Sequence, residues 1–336
     1  MSKSKEIQIL KPTDSMDEWD EFVTNSPQGC IFCRSWWLEA VCPGQYEILL
    51  VRCGPGILAG MPIHRSRKWG FDAIYMPPLT QTLGVLLHPS ASDNYEKNLS
   101  AEMDILGVLV KAIPKVSVFN VSYHYNFTNW LPFYWAGFRQ TTCYSYALED
   151  LSDLEKVFAG FAHSKRKNIK KAESVVEVKE DLPPTDFYAN HVLTLGKQGS
   201  RIIYSSSLFR RLHAATEQRN AAKTWYAVDK DGHMHAAIFV VFDAKSAYFL
   251  ISTIDPDYRN SGAATLLVKR AIEYLAPHTR RFDFEGSMIE GVENSFRRFG
   301  ARQVPYFAIT RSNAAMAQLL AWRQVLKKLQ MRRLSV

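Results

Sequence analysis

The sequence predicts an α/β protein with mixed sheets, built as two halves of similar make-up and closed by a helix. Three observations predict it. Helical and strand-like stretches alternate along all 336 residues, which is room for two domains of ordinary size. Each half carries helices, then a strand–turn–strand hairpin with a small-residue pair (Ala59-Gly60; Ala236-Ala237), then more strands and helices. An apolar strand at 248–252 enters a turn and leaves it through a long amphipathic helix. The boundaries drawn from this are a first half at 1–150, a second at 151–310 and a basic helical tail at 311–336.

The elements follow in order. Residues 13–25 read as a capped helix with Trp19, Phe22 and Val23 on one face, and 36–41 as a second short helix. Strands at 47–52 and 57–64 flank the Gly-Pro-Gly turn at 54–56 and make a hairpin. Pro77-Pro78 breaks the next stretch. A helix at 94–111 precedes a strand at 116–121, and a strand ending near Tyr146 closes the half. The second half opens on SKRKNIKKAE, rich in helix formers. Helices at 186–196 and 208–219 lead to strands at 224–228 and 235–242 around Asp231-Gly232, then to a strand at 247–252. A helix at 262–275, a short strand at 282–284, a helix at 292–299 and a strand at 306–310 complete it.

Composition is that of a globular chain: 47% hydrophobic, 22% charged, 12% aromatic. This excludes a disordered chain, which cannot bury enough apolar surface to offset its lost freedom. No apolar run is long enough to span a bilayer, and the polar start at 1–11 carries no signal core, so a cytoplasmic location is expected. The net charge of +8 is concentrated. Lys165, Arg166, Lys167, Lys170 and Lys171 crowd into 164–172, and Arg311, Arg323, Lys327, Lys328, Arg332 and Arg333 into 311–336, with no acid in either. Each stretch is either a contact for phosphate or an anionic surface, or a solvated helix face. The five cysteines (Cys30, Cys33, Cys42, Cys53, Cys143) offer one C-x-x-C and no second close pair, so buried free thiols and no metal site are expected.

Two segments carry chemistry. After the 248–252 strand, Asp255-Pro256-Asp257 turns the chain and Arg259-Asn260-Ser261-Gly262-Ala263-Ala264-Thr265 opens a helix. Small residues let the backbone approach closely, and the free N–H groups of a helix start can hold a diphosphate. An ordinary strand-to-helix turn packed with alanines is the other reading. Downstream, Phe282-Asp283-Phe284-Glu285-Gly286-Ser287 alternates, placing Asp283, Glu285 and Ser287 on one face. Adjacent buried carboxylates raise one another's pKa and can yield a base near neutrality. They can equally be structural acids holding Arg280, Arg281 or a turn.

Arg259-x-x-Gly262-x-Ala264 between strand and helix resembles motif A of the GNAT superfamily, whose loop holds the pyrophosphate of acetyl-CoA or another acyl-CoA. Asn294 to Ala301 is similar to that family's next helix, with Phe296 where it usually has a thiolate-protonating tyrosine. Arg166-Lys167-Asn168-Ile169-Lys170-Lys171-Ala172, Pro78-Leu79-Thr80-Gln81 and FDFEGS resemble segments of the FemAB-like branch, in which two GNAT folds are fused. The resemblance covers nearly all of the chain. It implies tandem GNAT-like folds, with the first half degenerate and on the acceptor side.

What the resemblance implies is an N-acyltransferase with acyl-CoA as co-substrate and no permanently bound cofactor. Residues 259–265 would bind the donor, and Glu285 assisted by Asp283 would be the base. Arg166, Asn168, Thr80, Gln81 and Tyr204 would line an acceptor cleft. The acceptor would be a small-molecule or lipid-linked amine, a sugar or cell-envelope precursor among them. Two alternatives stand. One is an aminoacyl-tRNA-dependent peptidyltransferase, with the basic stretches on the tRNA backbone and steep salt dependence. The other is a non-enzymatic binding protein whose basic tail helix touches an anionic membrane. The retained Gly262 and the lack of a long heptad hairpin favour acyl-CoA over tRNA, and DNA is not expected as a partner.

Overall fold

The computed structural model describes residues 4–68, 70–89, 92–286, 288–314 and 316. In chain order the elements are β1 (Lys5–Leu10), α1 (Asp17–Asn25), a 3-10 turn (Ile31–Cys33), α2 (Ser35–Val41), β2 (Tyr46–Cys53), β3 (Gly56–Lys68), β4 (Phe71–Tyr75), β5 (Leu86–Leu87), α3 (Tyr95–Ala112), β6 (Val118–Ser122), α4 (Leu131–Trp135) and β7 (Arg139–Leu148). There follow α5 (Leu154–Ala159), α6 (His163–Glu173), β8 (Glu177–Glu180), α7 (Pro184–Lys197), α8 (Ser206–Glu217), β9 (Ala222–Val228), β10 (Met234–Phe242), β11 (Ser246–Ile254), a 3-10 turn (Pro256–Ser261), α9 (Ala263–Leu275), β12 (Arg281–Asp283), α10 (Glu290–Arg297) and β13 (Arg302–Ser312).

The differences from the sequence reading have local causes. α1 starts at Asp17 rather than Thr13, because Lys11 and Asp14 close a turn of their own: the Lys11 N–H donates to the Asp14 carboxylate and the Asp14 N–H to the Lys11 carbonyl. β1 and β8 are not predicted from the sequence. They are outer strands, mostly exposed, and so lack the apolar alternation that marks a half-buried strand. β12 stops at Asp283, because Glu285 and Gly286 both take left-handed φ of 62°. β13 continues through Ser312, paired with β6, so a helix cannot begin at 311; Ala314 and Met316 are helical, the Met316 N–H donating to Asn313 Oδ1, and the rest of the expected tail helix, 317–336, lies outside the described residues.

The chain divides into two compact units, each discontinuous in sequence. Unit 1 takes the described residues of 1–29, 42–142 and 307–336; unit 2 takes 30–41 and 143–306. Unit 1 holds β1, β2, β3, β4, β6 and β13 in that order, antiparallel except for the parallel β4–β6 pair, with β5 added to β3. Unit 2 holds β8, β9, β10, β11, β12 and β7, antiparallel except for the parallel β11–β12 pair. The same series of pairings thus occurs twice. α3 links the parallel pair in unit 1, and α9 links it in unit 2.

The small-residue pairs of the two hairpins serve packing. In unit 1 a β-carbon on Gly60 would lie 2.2 Å from the ring of Trp19, which is fully buried. Gly60→Val is therefore expected to cost about 2–3 kcal/mol by overpacking, read as a lowered thermal midpoint. In unit 2 Ala236 and Ala237 are fully buried in β10, and Ala236 joins a core with Trp225, Ile238 and Val240. α9 covers that core with Leu266, Leu267, Ala271, Ile272 and Leu275, the spacing of a helix face. Among the described residues all five cysteines are free thiols, and no helix is long and apolar enough to cross a membrane.

Candidate active site

β11 and β12 pair only over Ser246–Tyr248 and Arg281–Asp283, and beyond these residues they part. The turn at the end of β11 and the carboxylates at the end of β12 therefore issue from the same, C-terminal end of a parallel pair. That is where open α/β sheets bind ligands.

The turn is fixed from several directions. Lys197 of α7 donates to both Asp255 oxygens, at 2.9 and 2.7 Å, and to Asp257 at 2.6 Å. The Asp255 N–H bonds the His235 carbonyl, and Tyr258 stacks on the His235 ring at 4.2 Å. Gly262 then caps α9 with φ +86°. Ser261 Oγ accepts from the Ala263 N–H, and the Gly262 carbonyl accepts from Thr265 and Leu266. The N–H groups of Gly262 and Ala264 have no acceptor among the described residues. Ser261, Ala263 and Thr265 are buried, Ala264 is half-buried, and Arg259 and Asn260 are exposed.

α6 packs on this turn, and its sequence motif becomes readable. A β-carbon on Gly262 would lie 2.3 Å from the Asn168 carbonyl oxygen. The close approach that glycine permits here is thus to the α6 backbone, in addition to any ligand. Lys171 Nζ donates to the Asn260 carbonyl at 2.7 Å, while Ile169 and Ala172 are buried in the core of unit 2. Arg166 donates to the Ala159 carbonyl at 3.0 Å and also to the Phe161 carbonyl, tying down the chain after α5.

The carboxylates form the other half of the site. Asp283 is buried; its Oδ1 accepts from Ser145 Oγ of β7 and, at 2.8 Å, from the Glu285 N–H. Its Oδ2 and Glu285 Oε1 are sealed from solvent without a hydrogen-bond partner among the described residues. Burial raises both pKa values, that of Glu285 well above the usual carboxylate range, and the charge of Asp283 adds to it. Ser145 and Arg281 pull Asp283 the other way, and Arg281 also pairs with Glu149 at 3.3 Å. Such a pair favours sharing one proton. Glu285 takes a left-handed φ, and beside it a β-carbon on Gly286 would lie 2.0 Å from the Tyr144 carbonyl oxygen, so glycine is required there. Strain of this kind, of order 1–3 kcal/mol, persists where the surroundings over-determine it. Ser287 lies outside the described residues.

Three members of this cluster are not predicted from the sequence. Tyr306 of β13 hydrogen-bonds Cys143 of β7 and feels the charges of Asp283 and Glu285; its phenol pKa is pushed up by burial first and by these neighbours second. Cys143 and Ser145 alternate on β7, so they share a face. The signal available in the sequence was the short alternation Cys143-Tyr144-Ser145-Tyr146 within β7. Phe296 stacks on Phe284 at 5.2 Å and offers no hydroxyl. Lys165 is buried over the Phe299 ring at 3.9 Å with Nζ on Ser295 Oγ at 2.9 Å; burial, then the nearby Arg298, lowers its pKa to about 8.

The remaining sequence-predicted residues lie in their own units. Thr80 and Gln81 belong to unit 1, half-buried after Leu79, whose φ is +53°, and Thr80 Oγ1 donates to the Pro78 carbonyl at 3.1 Å. Tyr204 belongs to unit 2, where its hydroxyl meets His191 Nδ1 of α7 at 2.8 Å and its carbonyl accepts from Tyr188.

Residues 159–293 match the family model described as an acetyltransferase (GNAT) domain. No curated protein matches the sequence. Solved structures do. A FemX crystal structure aligns with a TM-score of 0.66 at 10% identity, over 89% of this chain and 96% of that one. A tandem GNAT protein from the clavulanic acid biosynthesis pathway aligns at 0.55 with 12% identity, over 92% and 98%. L-PGS from Bacillus licheniformis aligns at 0.52 with 9% identity, over 93% and 97%. At such identities these matches establish the fold, and they cover the pairing series of both units. Residues 159–293 thus match a GNAT acetyltransferase domain model, within a chain whose fold is that of the tandem GNAT proteins.

Proposed function

We propose that the chain is an N-acyltransferase that takes an acyl group from acyl-CoA, acetyl-CoA foremost, to an amine of a sugar or cell-envelope precursor. The observation that carries this is the Asp283–Glu285 pair, the first buried and the second half-buried, at the parting of the same parallel strands that lead to the Gly262 turn. The diphosphate of the donor sits on the N–H groups of Gly262 and Ala264, with Arg259 and Asn260 at the exposed rim and Ser261, Ala263 and Thr265 shaping the helix start. Glu285 takes a proton from the acceptor ammonium. The amine then attacks the thioester carbon, the C–N bond forms, the C–S bond breaks and the thiolate leaves. Tyr306 donates its phenolic proton to the thiolate, a role open to it because Phe296 has no hydroxyl, and the tyrosinate so formed takes the second proton from the acylated nitrogen, leaving a neutral amide.

All five residues assigned to the acceptor, Thr80, Gln81, Arg166, Asn168 and Tyr204, keep that assignment in this reading, and Thr80 has its hydroxyl engaged on the Pro78 carbonyl. Arg166 and Tyr204 already have their polar groups engaged, and Asn168 lends its backbone to the turn.

Isothermal titration with acetyl-CoA and longer acyl-CoAs tests the donor; absence of binding by the wild type removes the reading. Tyr306→Phe is expected to lower kcat on the order of 10²-fold with little change in KM for the donor, measured by thiol release. An unchanged kcat would remove the phenol from the reaction.

A further inference from the structure

Unit 1 contains a cavity of 520 Å³ formed by one stripe of α3 and the loop that enters α4. Tyr95, Asn98 and Glu102 recur along α3 at helical spacing and so share a face. Asn129 and Trp130 close the other side. The volume lies within the range of small-molecule sites, about 300–1,000 Å³.

The lining selects a ligand class. It contains no lysine, arginine or histidine, although the chain carries a net +8, so it is a poor place for phosphate, nucleotide or carboxylate ligands. Its one carboxyl is that of Glu102, whose pKa burial pushes upward while the neighbouring Asn129 pulls it back. Asn129 Nδ2 is buried beside the Glu102 carboxyl, with which it interacts without forming a well-aligned hydrogen bond. A wholly apolar ligand would leave that donor unmet, at a cost of about 1–3 kcal/mol. The two aromatic residues supply flat apolar surface: Tyr95 is 79% exposed, and Trp130 is held edge-on to Tyr134 at 5.4 Å.

We infer that this cavity binds an uncharged saccharide unit. A sugar ring has apolar C–H faces for the Tyr95 and Trp130 rings. Its hydroxyl oxygens accept from Asn129, and its hydroxyl protons reach the Glu102 carboxyl. The inference stands apart from the donor chemistry, and it holds or fails without it.

Saturation-transfer NMR on the full chain tests it, with glucose, N-acetylglucosamine and N,N′-diacetylchitobiose as probes and glucose 1-phosphate as the anionic comparison. The expected result is transfer to at least one uncharged sugar, weakened about tenfold or more in both Trp130→Ala and Tyr95→Ala. Trp135→Ala, at an exposed residue outside the cavity, should leave it unchanged. Tyr95 is exposed enough that its variant keeps the fold, as thermal melts will verify. No transfer to any uncharged sugar, transfer indifferent to both substitutions, or binding of the phosphorylated sugar alone overturns the assignment.

Discussion

Glu285→Gln is expected to lower kcat on the order of 10³-fold and, in the same protein, to raise the thermal midpoint. The two effects share one cause. In the wild type, burial and the charge of Asp283 hold the Glu285 pKa well above its ordinary value. An elevated folded-state pKa means that the unfolded chain gives up this proton at lower pH than the folded one. The contribution to stability is therefore full below the ordinary glutamate range and is lost as pH rises towards the folded-state value. Glutamine keeps the shape and removes that loss. A gain of about 1 kcal/mol would raise the midpoint by roughly 2–4 °C for a unit of this size. The same proton affinity makes Glu285 a base, so kcat/KM in the wild type should climb with pH on a limb displaced above the usual carboxylate range. Urea midpoints at pH 5 and pH 8 give the stability half, and a pH–rate profile gives the other. A variant that loses stability at pH 8 would show that the carboxylate holds structure instead of moving protons.

Gly262→Ala is expected to cost on the order of 3 kcal/mol and to weaken acetyl-CoA binding at least tenfold. Alanine at φ +86° is strained by about 1–3 kcal/mol, and its methyl group would meet the Asn168 carbonyl at 2.3 Å. Backbone on the α6 side cannot swing aside as a flexible side chain would, so the turn or α6 must shift. Either movement disturbs the Lys171–Asn260 bond and the N–H groups at the start of α9. The thermal midpoint should fall by roughly 6–12 °C. A midpoint within 1–2 °C of wild type, on the order of measurement scatter for a change this large, would mean that the turn has slack that the packing denies.

Most of the helices and the inner strands were legible in the residue pattern, because burial on one face writes a period into the sequence. Trp19, Phe22 and Val23 on α1 and the apolar stripe of α9 are of this kind. β1 and β8 escaped because an edge strand buries little and so leaves no alternation. The pairing of Asp283 with Glu285 was legible because it is local. Ser145 and Cys143 were not, since β7 brings them in from well over a hundred residues away, and Tyr306 was not, since a helix and a turn separate its strand from the carboxylates. Gly262 was legible as a position of close approach, but not the identity of what approaches it. The Asn168 carbonyl is a main-chain atom, and no residue type announces it.

β13 completes the row of strands beside β6 in unit 1, although the two are separated by most of unit 2 in the chain. During synthesis the residues up to Thr142 leave the ribosome long before 307–312 exist. For that interval Val118–Ser122 has an unsatisfied rim of amides and carbonyls, open to wrong partners. Contacts so distant in sequence also slow the search for the native state. The chain should therefore lean on chaperones while nascent, and early termination should yield insoluble product instead of a working first half.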